Sequence, residues 1–185
     1  YTAFRIRAGN CMIDEGNQCT AGVRSVRCAS SPQFLMISIF ELPIIERREI
    51  AERTIEVSFG LSGDRFEFRA GQYLRLTLPA LLYDDPRGNY RDFSIVSSPN
   101  DTDKLRIAVR MSESGFKRSL AEIPIGSRVK VSGPFGNLVL PLKSNAPIVF
   151  VAGGIGITPF LSMLRFALER KFPNQITLIY ANQSR

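Results

Sequence analysis

The sequence has 185 residues, 44% of them hydrophobic, a formal net charge of +7 and no histidine. At about 100–200 residues per domain, that length supports one sizeable core and a second small lobe; the lack of histidine excludes Ser/His and Cys/His hydrolase arrangements and most zinc catalysis, and turns the search toward a bound organic cofactor. The basic residues are dispersed as Arg47–Arg48, Arg65 and Arg69, Lys117–Arg118 and Arg170–Lys171, the pattern of a solvated surface, and no strand face interleaves aromatics with cations as a single-strand stacking platform requires, so no nucleic-acid partner is expected.

Residues 1–33 carry Gly, Asn, Ser, Cys and scattered charge with no sustained period of two or 3.6. They are expected to be a poorly ordered or non-native extension, beginning at Tyr1 with no signal-peptide pattern. Cys11, Cys19 and Cys28 fit no common zinc or iron–sulfur spacing and read as unpaired thiols of a cytoplasmic protein, with no metal site. The apolar run Phe34–Phe40 is broken at Glu41, far short of the ~20 residues that cross a bilayer, so no membrane span is expected.

From residue 34 to 142 the pattern becomes short alternating runs between turn residues, which predicts an antiparallel barrel. Ile55, Val57 and Phe59 share one face; Leu74, Leu76 and Leu78 stand opposite Tyr73, Arg75 and Thr77; Leu105, Ile107, Val109 and Met111 stand opposite Lys104, Arg106 and Arg110. Breaks fall at 60–64, at Asp84–Asn89 and at Ser98–Asp101. Within Arg91-Asp92-Phe93-Ser94, alternation puts Arg91 and Phe93 on one face and Ser94 on the other. An arginine can grip a phosphate, an aromatic can cover a flavin ring and a serine can bond a ring nitrogen; taken singly, a residue such as Phe93 is more often core and one such as Arg91 more often a solvated charge. Arg110 is a further candidate cofactor contact. Gly115-Phe116-Lys117-Arg118-Ser119 opens a short helix to about Glu122, either as a second phosphate cradle or as an ordinary basic helix start. A strand at Arg128–Ser132 and the turn Gly133-Pro134-Phe135-Gly136 end the barrel.

Residues 143–185 follow a different grammar. The run Ile148–Ala152 suits a strand buried on both faces of a parallel sheet. Gly153, Gly154 and Gly156 follow at once, then Thr158 as helix N-cap and Pro159 as first helical residue, with apolar helical spacing from Phe160 to Phe172. Arg170 and Lys171 suit the last turn, Pro173 stops the helix, and Ile176–Ala181 completes a βαβ unit. Glycines between strand and helix let a backbone approach a pyrophosphate whose charge the helix N-terminus binds; tight packing of the turn is the other reason for them. Two strands are too few for a stable nucleotide domain, so the chain is expected to be truncated.

In this order, Gly71-Gln72-Tyr73, Arg91-Asp92-Phe93-Ser94, the Gly115–Ser119 segment, Gly133-Pro134-Phe135-Gly136 and Gly153-Gly154-Ile155-Gly156-Ile157-Thr158-Pro159 resemble the ferredoxin-NADP reductase family of flavoprotein reductases. The resemblance covers about Phe40 to Arg185, with Phe93 where the family often has tyrosine. It implies an antiparallel flavin-binding barrel followed by an incomplete Rossmann-like βαβ nucleotide-binding domain. It implies further that Arg91 binds the flavin phosphate or pyrophosphate, Phe93 lies against the isoalloxazine, Ser94 bonds near its N5 as the catalytic contact, and Gly115, Lys117 and Ser119 add phosphate contacts. Gly153, Gly154, Gly156, Thr158 and Pro159 would then form the NAD(P) pyrophosphate loop. The implied reaction is hydride transfer from NAD(P)H to FAD, or to FMN, followed by one-electron delivery to an iron–sulfur, haem or similar redox partner. A free-flavin reductase and a non-autonomous electron-transfer subunit are the rival readings. Ser184 and Arg185, after the second strand, favour a 2′-phosphate and hence NADP.

Overall fold

The computed structural model describes residues 2–6, 38–63, 65–142 and 146–182. The segment that follows Ile6, with its three cysteines, and Ser184 and Arg185 lie outside the described residues. Strands β1 (Thr2–Ile6) through β9 (Ile176–Ala181) and helices α1 (Gly115–Glu122) and α2 (Thr158–Glu169) form two sheets.

The larger sheet has six strands in the order β5-β4-β7-β2-β3-β6: β2 Ser38–Ala51, β3 Thr54–Gly60, β4 Tyr73–Thr77, β5 Tyr90–Ser94, β6 Lys104–Arg110 and β7 Arg128–Phe135. All its pairings are antiparallel, and a bridge from Ile95 to Ile107 joins its two ends, which closes the barrel expected from the alternation. The three apolar sets named above fill the inside: Val57, Phe59, Leu74, Leu76, Leu78, Leu105, Ile107 and Val109 are buried, and Ile55 and Met111 pack against them half-buried. α1 plugs the barrel with Phe116 and Leu120, both fully buried.

β2 is one long strand with two partners. Ser38–Pro43 pairs with β7 and Ile44–Ala51 with β3, with register shifts after Ile44 and Glu49. Pro43, which has no N–H to give, stands where the partner changes, a position a sheet tolerates.

The smaller sheet has the order β1-β9-β8. β8 (Ile148–Gly153) and β9 run parallel as the two strands of a βαβ unit, and β1 adds antiparallel to β9, a strand where no regular element was expected. α2 covers one face, packing Met163, Leu164 and Ala167 on Phe150, Ala152, Ile176 and Leu178. The expectation that β8 is buried on both faces is corrected: Val149 and Val151 are 59% and 68% exposed. A continuous apolar run shows that a strand can be covered twice, whereas actual burial needs a second layer, and among the described residues α2 supplies one.

Candidate functional site

The loop between β4 and β5 folds back on α1, and Asp85 ties the two together. One carboxylate oxygen accepts from the Arg87 N–H at 3.0 Å and the Arg91 guanidinium at 2.6 Å; the other accepts from the Ser114 hydroxyl at 2.7 Å and the Phe116 N–H at 2.9 Å. The carboxylate thus stands at the N-terminus of α1, where the helix dipole and free N–H groups favour negative charge. Its side chain is only 4% exposed. These bonds hold the Asp85 carboxyl far below the usual aspartate range, the Phe116 N–H first, then Ser114, against the opposing effect of burial.

Arg91 is locked in the same joint. Besides Asp85, its guanidinium donates to the carbonyls of Arg87, Gly88 and Tyr90 and lies 5.1 Å over the Phe116 ring. Ser119 is fully buried, and its hydroxyl oxygen accepts from the N–H groups of Leu82 at 2.9 Å and Tyr83 at 3.2 Å. A Cβ on Gly115 would stand 2.1 Å from the Asp84 carbonyl oxygen. Gly115 and Ser119 therefore sit inside the joint, Gly115 close against the loop backbone and Ser119 bonded to it.

Around the joint, cations gather. Lys117 donates from Nζ to the Arg110 carbonyl at 2.6 Å, and its pKa is lowered by burial and then by Arg91, Arg87 and Arg110. Among the described residues Arg91 pairs with Asp85, while Arg87, Arg110 and Lys117 have no carboxylate partner. Like charges repel, and an anion with several oxygens is the kind of ligand such a cluster can hold.

Arg110 also reaches the second lobe. Its guanidinium is 3.2 Å from where a Cβ on Gly154 would lie, so Gly154, at a φ of +49°, is a position only glycine fills comfortably. The Gly154 carbonyl accepts from the Tyr180 hydroxyl on β9 at 3.1 Å. Gly153 and Gly156 are exposed, and a Cβ on Gly156 would meet nothing within 4 Å. Packing among the described residues does not demand glycine there, and a bare backbone leaves room for a phosphate to approach closely. A cleft of about 400 Å³ opens between Arg110, Gly153, Gly154, Ile155, Ala181 and Asn182.

The helix start differs from expectation. Residues Gly154–Ile157 form a 3-10 turn, Ile157 is the cap of α2, and Thr158 and Pro159 are its first two residues. Thr158 is buried and donates to the Ile155 carbonyl at 3.0 Å, so it braces the turn and is not an N-cap. α2 ends at Glu169; Arg170 is its C-cap and Lys171 has a φ of +49°, so neither cation is in the last turn.

On β5 the pairing sets Arg91 opposite Leu76, Phe93 opposite Leu74 and Ser94 opposite Tyr73, which separates Ser94 from the other two as alternation requires. Phe93 is half-buried with its ring 6.1 Å from Phe116. Ser94 is half-exposed, and its hydroxyl has no partner among the described residues. The residues that the sequence did not single out are Asp85, which looked like a turn former, and Arg87. The only signal for Asp85 was an acidic residue six positions before an arginine.

One consequence is measurable as acid sensitivity. Because the folded carboxyl is depressed, the Asp85 contribution to stability is complete above the unfolded aspartate value near ~4 and is lost as pH falls through the folded value. Asp85→Asn should lower the urea midpoint at pH 7, and the gap to the parent should narrow steadily below about pH 4. A gap of constant size down to pH 2 would show that the charge has no part in the joint.

Residues 41–140 match the oxidoreductase FAD-binding domain and residues 150–185 the oxidoreductase NAD-binding domain. The chain is 34% identical over 119 residues to the terephthalate 1,2-dioxygenase reductase component 1 of Comamonas sp., covering 64% of this chain and 33% of that protein. It is 35% identical over 133 residues to ferredoxin–NADP reductase B of Sorangium cellulosum, covering 70% and 52%. Among solved structures, the Amycolatopsis cytochrome P450 reductase superposes with a TM-score of 0.68 at 25% identity, over 81% of this chain and 45% of that one. The chain thus spans about a third to a half of the relatives it matches. With a barrel of that family over more than half its length and the glycine loop in sequence after it, the chain belongs to the oxidoreductase FAD-binding domain family, among the ferredoxin-NADP reductase-like flavoprotein reductases.

Proposed function

We propose that this chain is the flavin lobe, residues 34–142, and the first part of the nucleotide lobe, residues 143–185, of a reductase that moves electrons from NAD(P)H to a one-electron acceptor such as an iron–sulfur or haem protein. The observation that carries the reading is Arg110, a guanidinium without a carboxylate partner that belongs to the barrel's cation cluster and touches the glycine loop. Two phosphate-binding arrangements on two lobes meet there.

Arg87, Arg110 and Lys117 would hold the flavin diphosphate, with Arg91 and Asp85 fixing the loop beside it. Phe93 would offer its half-exposed ring to the isoalloxazine, and the Ser94 hydroxyl would donate near the flavin N5. Gly153, Gly154 and Gly156 would take the nucleotide pyrophosphate against the head of α2, with Thr158 and Pro159 shaping the turn. A bound flavin supplies the chemistry, accepting a hydride and releasing electrons singly. The protein's share is positioning and charge; the Ser94 hydroxyl would be the group that bonds a nitrogen whose proton affinity changes, and no other acid or base is required. FAD is preferred over FMN because the Asp84–Asn89 loop is long enough to flank an adenosine. Relatives named as the reductase component of a dioxygenase and as a ferredoxin–NADP reductase support this class of partner. A cytoplasmic setting is proposed; among the described residues no helix is long and apolar enough to cross a membrane.

The test is the visible absorbance of the purified chain after gel filtration, then anaerobic addition of NADH and, separately, NADPH. Flavin bands that stay with the protein and bleach with one nucleotide are expected. A colourless protein that FAD and FMN both fail to colour would overturn the reading.

A further inference from the structure

The face of α2 turned to the barrel carries polar residues at positions 162, 165 and 169, spaced so that they form one stripe. Each bonds the segment that follows β5. The Ser162 hydroxyl, fully buried, donates to the Ser97 carbonyl at 2.7 Å. The Arg165 guanidinium donates to the Val96 carbonyl at 2.5 Å, and its burial lowers its pKa. One oxygen of Glu169 accepts from the Ser98 hydroxyl at 2.5 Å and from the Asn100 side-chain amide at 2.6 Å.

The segment they grip is itself fastened to the barrel. The Val96 N–H donates to the Arg106 carbonyl, the Arg106 N–H donates to the Ser97 hydroxyl oxygen, and the Arg106 guanidinium donates to Asp101 at 2.7 Å. Ser97 and Ser98 are fully buried. The path between the two candidate binding elements is therefore short. Thr158, at the foot of the glycine loop, is about one helical turn from Ser162, and Val96 is two residues past Ser94. Lobes of one chain move relative to each other unless their contacts fix them; here Ala70 and Leu140 join the apolar cluster under α2, and the polar stripe sets the register on top of that apolar contact.

We propose that Ser162, Arg165 and Glu169 form a latch that fixes the glycine loop at the head of α2 relative to the strand carrying Ser94, which makes them positioning residues for transfer between nucleotide and flavin. The latch is a property of the fold; its bearing on the transfer rests on the function proposed above. Misplacement by about 1 Å costs such a reaction up to about a hundredfold, so a latch remote from the reacting atoms matters to the rate.

The experiment compares Glu169→Ala, Ser162→Ala and the conservative Glu169→Gln, which keeps an acceptor for Ser98 and Asn100, in the full chain. By hydrogen exchange, the first two should speed exchange about tenfold or more both at residues 96–101 and in the first turn of α2, leaving β2 and β3 unchanged, while Glu169→Gln stays near the parent. Acceleration at the substituted element alone, or in none, overturns the latch. In the flavin-loaded chain the limiting rate of reduction should fall about ten- to a hundredfold in the first two variants, with flavin content and nucleotide Kd within about twofold of the parent. An unchanged rate despite loosened exchange removes the positioning role. A parent chain that holds flavin but is reduced by neither nucleotide overturns the proposed nucleotide site, and exchange then decides the latch by itself.

Discussion

Gly115→Ala should unfold the joint between α1 and the 82–85 loop, although helix propensity alone argues the opposite. Alanine is the better helix former by about 1 kcal/mol, so an exposed first-turn glycine would gain from the change. Here the new Cβ would stand 2.1 Å from the Asp84 carbonyl oxygen and 2.6 Å from that of Tyr83. Both are backbone atoms, so no side chain can swing away, and the loop itself must retreat. Retreat breaks the bonds from the Leu82 and Tyr83 N–H groups to Ser119 and frees Asp85 from Ser114 and Phe116. A buried polar group left without its partner costs roughly 1–3 kcal/mol, and several are exposed to that fate together. We expect a net destabilisation of about 3–5 kcal/mol, at the upper end for single substitutions. Urea unfolding measures it directly, and flavin retention should be lost in the same variant. A midpoint equal to or above the parent's would mean that the loop does not bear on the helix.

The same joint shows what can be read from a sequence. Strand alternation is a local signal, and the faces of β3, β4 and β6 were legible because each apolar residue two positions from the next marks the inside. The glycine loop before α2 was legible because strand, glycines and helix are contiguous. Asp85 was not, since its carboxylate bonds Phe116, far along the chain, and only the folded barrel brings the loop to the helix. Taken alone, Gly115 and Ser119 fit a phosphate cradle as well as a loop clamp; the choice rests on what passes within a few ångströms of them. β2 escaped detection for another reason. Pro43 and the charged run Glu46-Arg47-Arg48 interrupt its alternation, because the strand changes partner partway and presents each half to different surroundings. The second face of β8 depended on a covering layer, about which the strand's own residues carry no information.

Arg110→Glu should weaken both candidate phosphate sites at once, which makes it the most direct test of their meeting. Arg110, Arg87 and Lys117 have no carboxylate partners among the described residues, and Lys117 already feels the three arginines as repulsion. An anion arriving there is bound by charge-assisted bonds, each roughly 1.5–3 kcal/mol, and reversing one charge replaces attraction by repulsion. Affinity for FAD should therefore drop by about a hundredfold or more, at about 1.4 kcal/mol per tenfold. Riboflavin, which carries no phosphate, is the internal control, because on the proposed reading its weaker binding would rest on Phe93 and Ser94 and should change little. Affinity for FAD in the parent should also fall with added salt, and less steeply in the variant. The guanidinium lies against Gly154 as well, so titration of the FAD-saturated chain with ADP, which then finds the flavin diphosphate site filled, should weaken in step. Loss of FAD affinity with ADP unchanged would confine Arg110 to the barrel and separate the two sites. Equal loss for FAD and riboflavin would mean that the substitution had distorted the ring site, and circular dichroism together with the urea midpoint would then distinguish a local change from a general one. Only the combination of weakened FAD, weakened ADP and undisturbed riboflavin places one guanidinium between two phosphates, the arrangement in which a single residue helps align donor and acceptor before any electron moves.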